Sequence, residues 1–242
     1  MSPLDAAAVF ALAAFAGTAQ ATTGFGFGLL IIPPLVLFLG PRDAVALSTV
    51  LGTALSSLML PNVWHDIEWR PLNVSVLAAI AGSPVGLAAL ILLDKDVLQA
   101  LIAIAVLVAT ALLIRGVRVP ATPTVGPAVA GFIAGIGRMA AGLPGPPVVL
   151  YFQAAEFSPA IQRGTVTAFF VVTGVVGGVL FAVQGSLDLG IAALALAGMP
   201  GIVLGRWAGT HVFQRISPRL FSAAVYLLLV ISALLALAGA VL

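Results

Sequence analysis

Apolar stretches separated by short polar segments dominate the chain. Eight such stretches follow one another along the sequence, at residues 6–39, 44–60, 72–93, 97–114, 128–155, 160–183, 189–212 and 220–242. A helix that crosses a bilayer needs about 20 consecutive apolar residues. The pattern therefore predicts an all-α polytopic membrane protein with about 8–10 membrane helices.

Two of these stretches are too long for one straight helix, and glycine and proline interrupt both of them. The stretch 6–39 contains the sequence TTGFGFG at 22–28 and then Pro33 and Pro34. The stretch 128–155 contains GLPGPP at 142–147. Glycine and proline both weaken a helix interior. Each stretch is therefore predicted to form a broken helical segment.

The two breaks recur at a constant spacing, which indicates an internal duplication. At an offset of 118, the coinciding pairs are Gly17 with Gly135, Gln20 with Arg138, Gly24 with Gly142, and Thr49 with Thr167. The sequences AGSP at 81–84 and AGMP at 197–200 also correspond. The alternative is chance coincidence in a chain rich in small residues. We expect two transmembrane repeats, 1–119 and 128–242, joined by a proline-rich linker at 120–127.

The basic residues of the loops predict how the repeats are oriented, because cytoplasmic loops carry an excess of Lys and Arg. If each broken segment crosses the membrane an even number of times, one side holds Arg70, Arg115, Arg118, Arg163, Arg215 and Arg219. Only Arg42 and Lys95 then lie opposite. This parity makes the two halves an inverted repeat, with both termini on the outer side of the membrane. Inverted repeats with broken helices are a common plan of secondary transporters.

Composition excludes several classes of protein. Of 242 residues, 62% are hydrophobic and 7% are charged, against about 25% charged in soluble domains. The chain has no cysteine and two histidines, so we expect no disulfide, metal site or cofactor. The ten basic residues are scattered, which argues against nucleic-acid binding. The expected partners are a small anionic substrate and the lipid bilayer, and the oligomeric state is not indicated.

The sequences around the two breaks carry a resemblance to a known family. They are GFGFGLLIIPPL at 24–35 and GIGRMAAGLPGPP at 135–147, together with the two AGxP motifs. Over nearly its whole length the chain resembles the sulfite exporter TauE/SafE family, although it departs from the usual glycine triplet. The resemblance implies two similar halves and transport of sulfite, of organosulfonates such as sulfoacetate, or of related organic anions.

Arg138 is the most informative candidate for substrate binding. It lies inside an apolar stretch, four residues before the second break. A charge at the centre of a membrane helix is costly, and a guanidinium offers a planar fork of donors that matches an oxyanion. We interpret Arg138 as an anion ligand. The alternatives are that it extends to the interface or caps carbonyls of the broken helix.

The breaks themselves are a second candidate, because free N–H groups at the start of a half-helix bind anions. The glycines involved are Gly24, Gly26, Gly142 and Gly145. Nearby polar residues would complete the shell: Gln20, Thr22, Thr23, Ser48, Thr49, Thr165 and Thr167. The alternative for the glycines is close helix packing, and for Ser and Thr it is bonding to their own backbone or to a neighbouring helix.

These features favour a secondary transporter that moves a small anion by alternating access, with proton coupling as an option that no residue indicates. A passive anion channel is the alternative function. An enzyme is not expected, since no paired carboxylates, metal ligands or Ser/His pair lie within the apolar stretches. The polar loop with His65, Asp66 and Glu68 is interpreted as a solvated surface.

Overall fold

The computed structural model describes residues 2–115, 122 and 124–211. Regular secondary structure in these residues is helical, with two 3₁₀ turns at Leu60–Asn62 and Trp64–Asp66. The α-helices are α1 (Pro3–Thr23), α2 (Phe27–Leu39), α3 (Pro41–Met59), α4 (Trp69–Leu92), α5 (Lys95–Arg115), α6 (Val125–Ala141), α7 (Gly145–Ala154), α8 (Pro159–Gln184) and α9 (Leu189–His211). The predicted all-α fold is confirmed.

Six helices are long and apolar enough to cross a membrane: α1, α3, α4, α5, α8 and α9. The chain is therefore a multi-pass membrane protein. Helix α6 begins at Val125, so the end of the predicted linker 120–127 is helical. The predicted final span at 220–242 lies outside the described residues.

Glycine interrupts both long apolar stretches where the sequence predicts it. Gly24 has a φ of 87° and closes α1, and Gly26 has a φ of 100° and precedes α2. Gly142 has a φ of 65° and closes α6. Only glycine adopts such positive φ values without strain. Each half therefore opens with a broken helical segment, as expected.

The prediction that Pro33 and Pro34 interrupt the first stretch is wrong. Helix α2 continues through both residues and ends at Leu39. Proline in a membrane helix is tolerated where neighbouring protein satisfies or shields the freed carbonyls. Here Pro33 is buried, as are Ile31, Ile32 and Leu35 around it. The packing of α2 inside the bundle therefore outweighs the loss of two helical hydrogen bonds.

Helices α4 and α6 join the two halves through a contact between backbones. A Cβ atom on Gly131 would overlap the carbonyl oxygen of Ser75, and one on Gly135 would overlap that of Ala79. Small residues at such positions let membrane helices approach closely. Both members of each pair advance by four residues, so α4 and α6 run parallel.

Helices α1 and α9 form a second contact of the same kind. A Cβ atom on Gly201 would overlap the carbonyl oxygen of Phe10, and one on Gly205 would overlap that of Ala14. These helices are also parallel. In the predicted repeat, α1 corresponds to α6 and α9 corresponds to α4. The α1–α9 pair is therefore the counterpart of the α4–α6 pair.

The described contacts assign the helix ends to two faces. Arg42, at the start of α3, donates to the carbonyls of Leu90 and Ile91 at the end of α4. We call this side of the bundle the opposite face, because the basic face, defined next, lies on the other side. At the other end, the N–H of Glu68 donates to Thr165 Oγ1 near the start of α8. We call this the basic face, because Arg70 and Arg163 lie there.

The two faces fix the relative direction of α1 and α6, the helices that lead into the two breaks. Helix α8 starts at the basic face and crosses, so α9 starts at the opposite face, where α4 ends. Helix α6 runs parallel to α4, away from the basic face, and α1 runs parallel to α9, toward the basic face. Helices α1 and α6 are therefore antiparallel. An inverted repeat requires this, and inversion of the whole second half stays a prediction.

Candidate functional site

A small cavity lies where the two breaks meet, between α1, α2, α3, α6, α7 and α8. It leaves about 40 Å³ for the centres of water-sized molecules. One water needs about 10–15 Å³ measured this way, so the cavity has room for a small ion. Its polar side chains are Gln20, Ser48, Thr49, Ser56 and Arg138.

Arg138 extends into this cavity from the last turn of α6 and is only 4% exposed. One terminal guanidinium nitrogen donates to the Phe170 carbonyl at 3.4 Å, a long hydrogen bond. Its Nε is buried without a partner, and no carboxylate of the described residues pairs with it. A buried cation without a counter-ion is costly. The arrangement is therefore suited to an anionic ligand.

The first break supplies backbone donors to the same cavity. Gly26 precedes α2 without a side-chain cap, so the first-turn amides have no acceptor within the helix. Phe27, Gly28 and Leu29 carry these amides and all line the cavity. Oriented N–H groups at a helix start favour negative charge.

The second break contributes differently. Helix α7 begins at Gly145 and continues with Pro146 and Pro147, and proline has no N–H to donate. Gly145 alone offers an amide among its first three residues. The two halves are thus unequal: the first provides a row of amides, and the second provides the Arg138 guanidinium.

Neutral polar side chains complete the wall. Gln20 Nε2 donates to Ser56 Oγ at 2.9 Å, and Ser56 Oγ donates to the Gly52 carbonyl at 2.8 Å. Thr49 Oγ1 is buried without a partner. The wall can thus offer further hydrogen bonds to a ligand.

Comparison with known proteins assigns the chain to a family. The family model described as sulfite exporter TauE/SafE matches residues 9–236. The chain belongs to this family. A curated relative from Cupriavidus necator, named probable sulfite/organosulfonate exporter TauE, is 26% identical over 209 residues, covering 82% of this chain and 80% of the relative. No solved structure gives a significant match.

In this TauE/SafE family member, seven of the predicted site residues line the cavity. They are Gln20, Gly26, Ser48, Thr49, Arg138, Gly142 and Gly145. Ser56 also lines it and is absent from the predicted set. Ser48, Gly52 and Ser56 are spaced four residues apart along α3, which places them on one helix face. That spacing is the sequence signal that could have identified Ser56.

The other five predicted residues do not line the cavity: Thr22, Thr23, Gly24, Thr165 and Thr167. Thr22 and Thr23 each donate to a carbonyl one turn earlier in α1, at 2.8 Å. Thr165 accepts from the Glu68 amide at 2.9 Å. Thr22 and Thr23 thus follow the usual preference of Thr for nearby backbone groups, whereas Thr167 Oγ1 is buried without a partner.

Arg163 of the second half holds the first break in place. Its terminal nitrogen donates to the Ala21 carbonyl at 2.8 Å, at the end of α1. Its side chain packs against Gly24. The last carbonyls of a helix have no intrahelical donor, so this hydrogen bond caps α1 where the chain turns toward the cavity.

We expect Arg163→Gln to lower the free energy of unfolding by about 1–3 kcal/mol, because the Ala21 carbonyl loses a charged donor. Thermal unfolding of the purified protein in detergent measures this. Arg115→Gln is the matched control, since Arg115 is exposed at the end of α5. Equal Tm values for Arg163→Gln and the wild type would contradict the capping role.

Proposed function

We propose that the protein exports sulfite or a small organosulfonate across the bacterial inner membrane by alternating access. The observation that carries this proposal is Arg138, a buried guanidinium that faces a small cavity without a carboxylate partner in the described chain. Family membership supports transport rather than catalysis. The name of the Cupriavidus necator relative supports the substrate class.

The substrate would bind between the two breaks. A planar guanidinium matches an oxyanion with two parallel hydrogen bonds. The first-turn amides of α2 would bind oxygens on the other side of the same anion. Thr49, whose hydroxyl lacks a partner, would add a donor from α3. A sulfur oxyanion presents three oxygens in a compact shape and can accept all of these bonds.

Alternating access would come from relative motion of the two close helix pairs. Pairs α1–α9 and α4–α6 are each held by backbone contacts, so each is expected to move as a unit. Each pair carries one break, and the cavity lies between the breaks. Such rocking of helix groups around a fixed site is the general scheme of secondary transporters.

We further propose that the basic face lies in the cytoplasm. Arg70 and Arg163 lie at this face, and Arg115 ends α5, which starts at the opposite face with Lys95. An excess of Lys and Arg marks cytoplasmic ends. Helix α1 ends at the basic face, so the N-terminus would lie on the periplasmic side.

Counterflow in proteoliposomes tests the transport mechanism. Vesicles loaded with unlabelled sulfite should accumulate labelled sulfite transiently, because a carrier exchanges substrate through one alternating site. A passive channel lets the label equilibrate without that overshoot. Saturable uptake without counterflow would remove alternating access from the proposal, and absence of flux would remove the function.

The contact between the two breaks gives a second test of the mechanism. A Cβ atom on Gly28 would overlap the carbonyl oxygen of Gly142. We expect Gly28→Ala to lower sulfite flux at least about tenfold, a loss equivalent to about 1.4 kcal/mol, because the breaks could no longer meet. Gly178→Ala is the control, since no atom lies within 4 Å of its added Cβ. Equal flux in both variants would contradict this role of the contact.

A further inference from the structure

The cavity between the breaks carries one formal charge. Arg138 supplies it, and every other side chain that lines the cavity within the described chain is neutral. No Asp, Glu, His, Lys or Tyr from α1, α2, α3, α7 or α8 lines it, so no second titratable group adjusts that charge. A ligand with one negative charge would bring the site to neutrality, whereas a dianion would leave a buried charge uncompensated.

The helix ends add oriented donors but little net charge. A helix start carries about half a positive charge, and a helix end about half a negative charge. At the first break α1 ends and α2 begins within a few residues, and at the second break α6 ends and α7 begins. The opposite half-charges at each break therefore offset one another. The net charge of the site remains that of Arg138.

Gln20 adds no charge to the cavity but can accept a hydrogen bond from a protonated ligand. One N–H of its Nε2 donates to Ser56 Oγ at 2.9 Å, which leaves Oε1 and the second N–H of the amide. Oε1 would accept from a protonated anion, and the second N–H would donate to an anion oxygen. The side chain therefore fits a protonated monoanion and supplies no charge that would balance a dianion.

We infer that this site selects singly charged anions, namely hydrogensulfite and sulfonates with one negative charge, and rejects dianions. Doubly charged sulfite, sulfate and sulfoacetate would then be poor substrates. The inference rests on the proposed function, because it requires that the transported anion occupies this cavity. It narrows the substrates that the family resemblance implies.

Methanesulfonate and sulfate test the charge rule, since they are similar in size and carry fixed charges of one and two. We expect wild-type proteoliposomes to move methanesulfonate at least about tenfold faster than sulfate, equivalent to about 1.4 kcal/mol. At constant total sulfite, flux should fall as pH rises and hydrogensulfite loses its proton, while methanesulfonate flux stays constant. Protein-free vesicles correct for diffusion of neutral sulfur dioxide.

Two results would overturn the inference: sulfate moving as fast as methanesulfonate, or sulfite flux rising with pH. If none of these anions moves, the proposed function fails, and charge selection fails with it. Gln20→Arg adds a second cation at the position that aligns with Arg138. It should raise the ratio of sulfate to methanesulfonate flux at least about tenfold, and an unchanged ratio in a transporting variant would contradict the rule.

Discussion

Arg138→Gln is expected to lower sulfite flux at least about a hundredfold, equivalent to about 2.7 kcal/mol. The variant retains one amide NH2 group on a shorter side chain and loses the positive charge. An anion entering the cavity would then be buried without a counter-ion, and loss of one partner of a buried ion pair costs about 3–5 kcal/mol. Initial rates of labelled sulfite uptake into proteoliposomes measure the effect.

A second variant at this position separates charge from geometry, and a variant elsewhere in the chain serves as the control. Arg138→Lys keeps the charge but loses the planar fork, so its flux should fall between those of the wild type and Arg138→Gln. Arg115→Gln removes an exposed arginine that does not line the cavity and should transport like the wild type. Undiminished flux in a folded Arg138→Gln protein would remove Arg138 from the site and leave the α2 amides as the main anion ligands.

Gly135→Ala should lower the free energy of unfolding by about 3 kcal/mol or more, at the upper end of the cost of overpacking. The added methyl group would overlap the carbonyl oxygen of Ala79 in α4. A flexible side chain could rotate away, but this neighbour is backbone, so α4 and α6 would have to separate. Thermal unfolding in detergent and the yield of monodisperse protein measure the loss.

Gly178→Ala provides the comparison within the same fold. Both positions are helical glycines, and the substitution is chemically identical. The added Cβ at position 178 meets no atom within 4 Å, so its stability should match or slightly exceed that of the wild type, because alanine favours helix more than glycine does. If Gly135→Ala is as stable as Gly178→Ala, the close α4–α6 contact does not hold the halves together.

The general architecture could be predicted from sequence because its signals are strong and local. Apolar length identified the long helices, and glycine identified both breaks, since Gly24, Gly26 and Gly142 adopt backbone angles that other residues avoid. Arg138 stood out as a charge in an apolar stretch. In the structure, Arg138 and Gln20, its counterpart in the predicted repeat, line the same cavity.

The hydroxyl groups could not be assigned in the same way. Thr22 and Thr23 are as near the first break in sequence as Gln20, but α1 turns their side chains to its own carbonyls. Ser56 lies far from both breaks in sequence and reaches the cavity only because α3 crosses beside it. Which polar group faces a site thus depends on helix packing, and proximity in sequence does not reveal it.

Proline gave a misleading signal for a related reason. Pro33 and Pro34 would break a solvated helix, because the freed carbonyls and the steric clash are costly. In α2 they lie among buried apolar neighbours, where tertiary packing holds the helix together. At the start of α7, Pro146 and Pro147 occupy first-turn positions. There proline does remove hydrogen-bond donors, because it has no backbone N–H.

An experimental structure of the wild-type protein with bound methanesulfonate would test the central claim most directly. The account predicts the sulfonate group between the two breaks, within hydrogen-bond distance of the Arg138 guanidinium and of the amides of Phe27, Gly28 and Leu29. A sulfonate bound elsewhere in a protein that transports it, with the Arg138 cavity empty, would contradict the account.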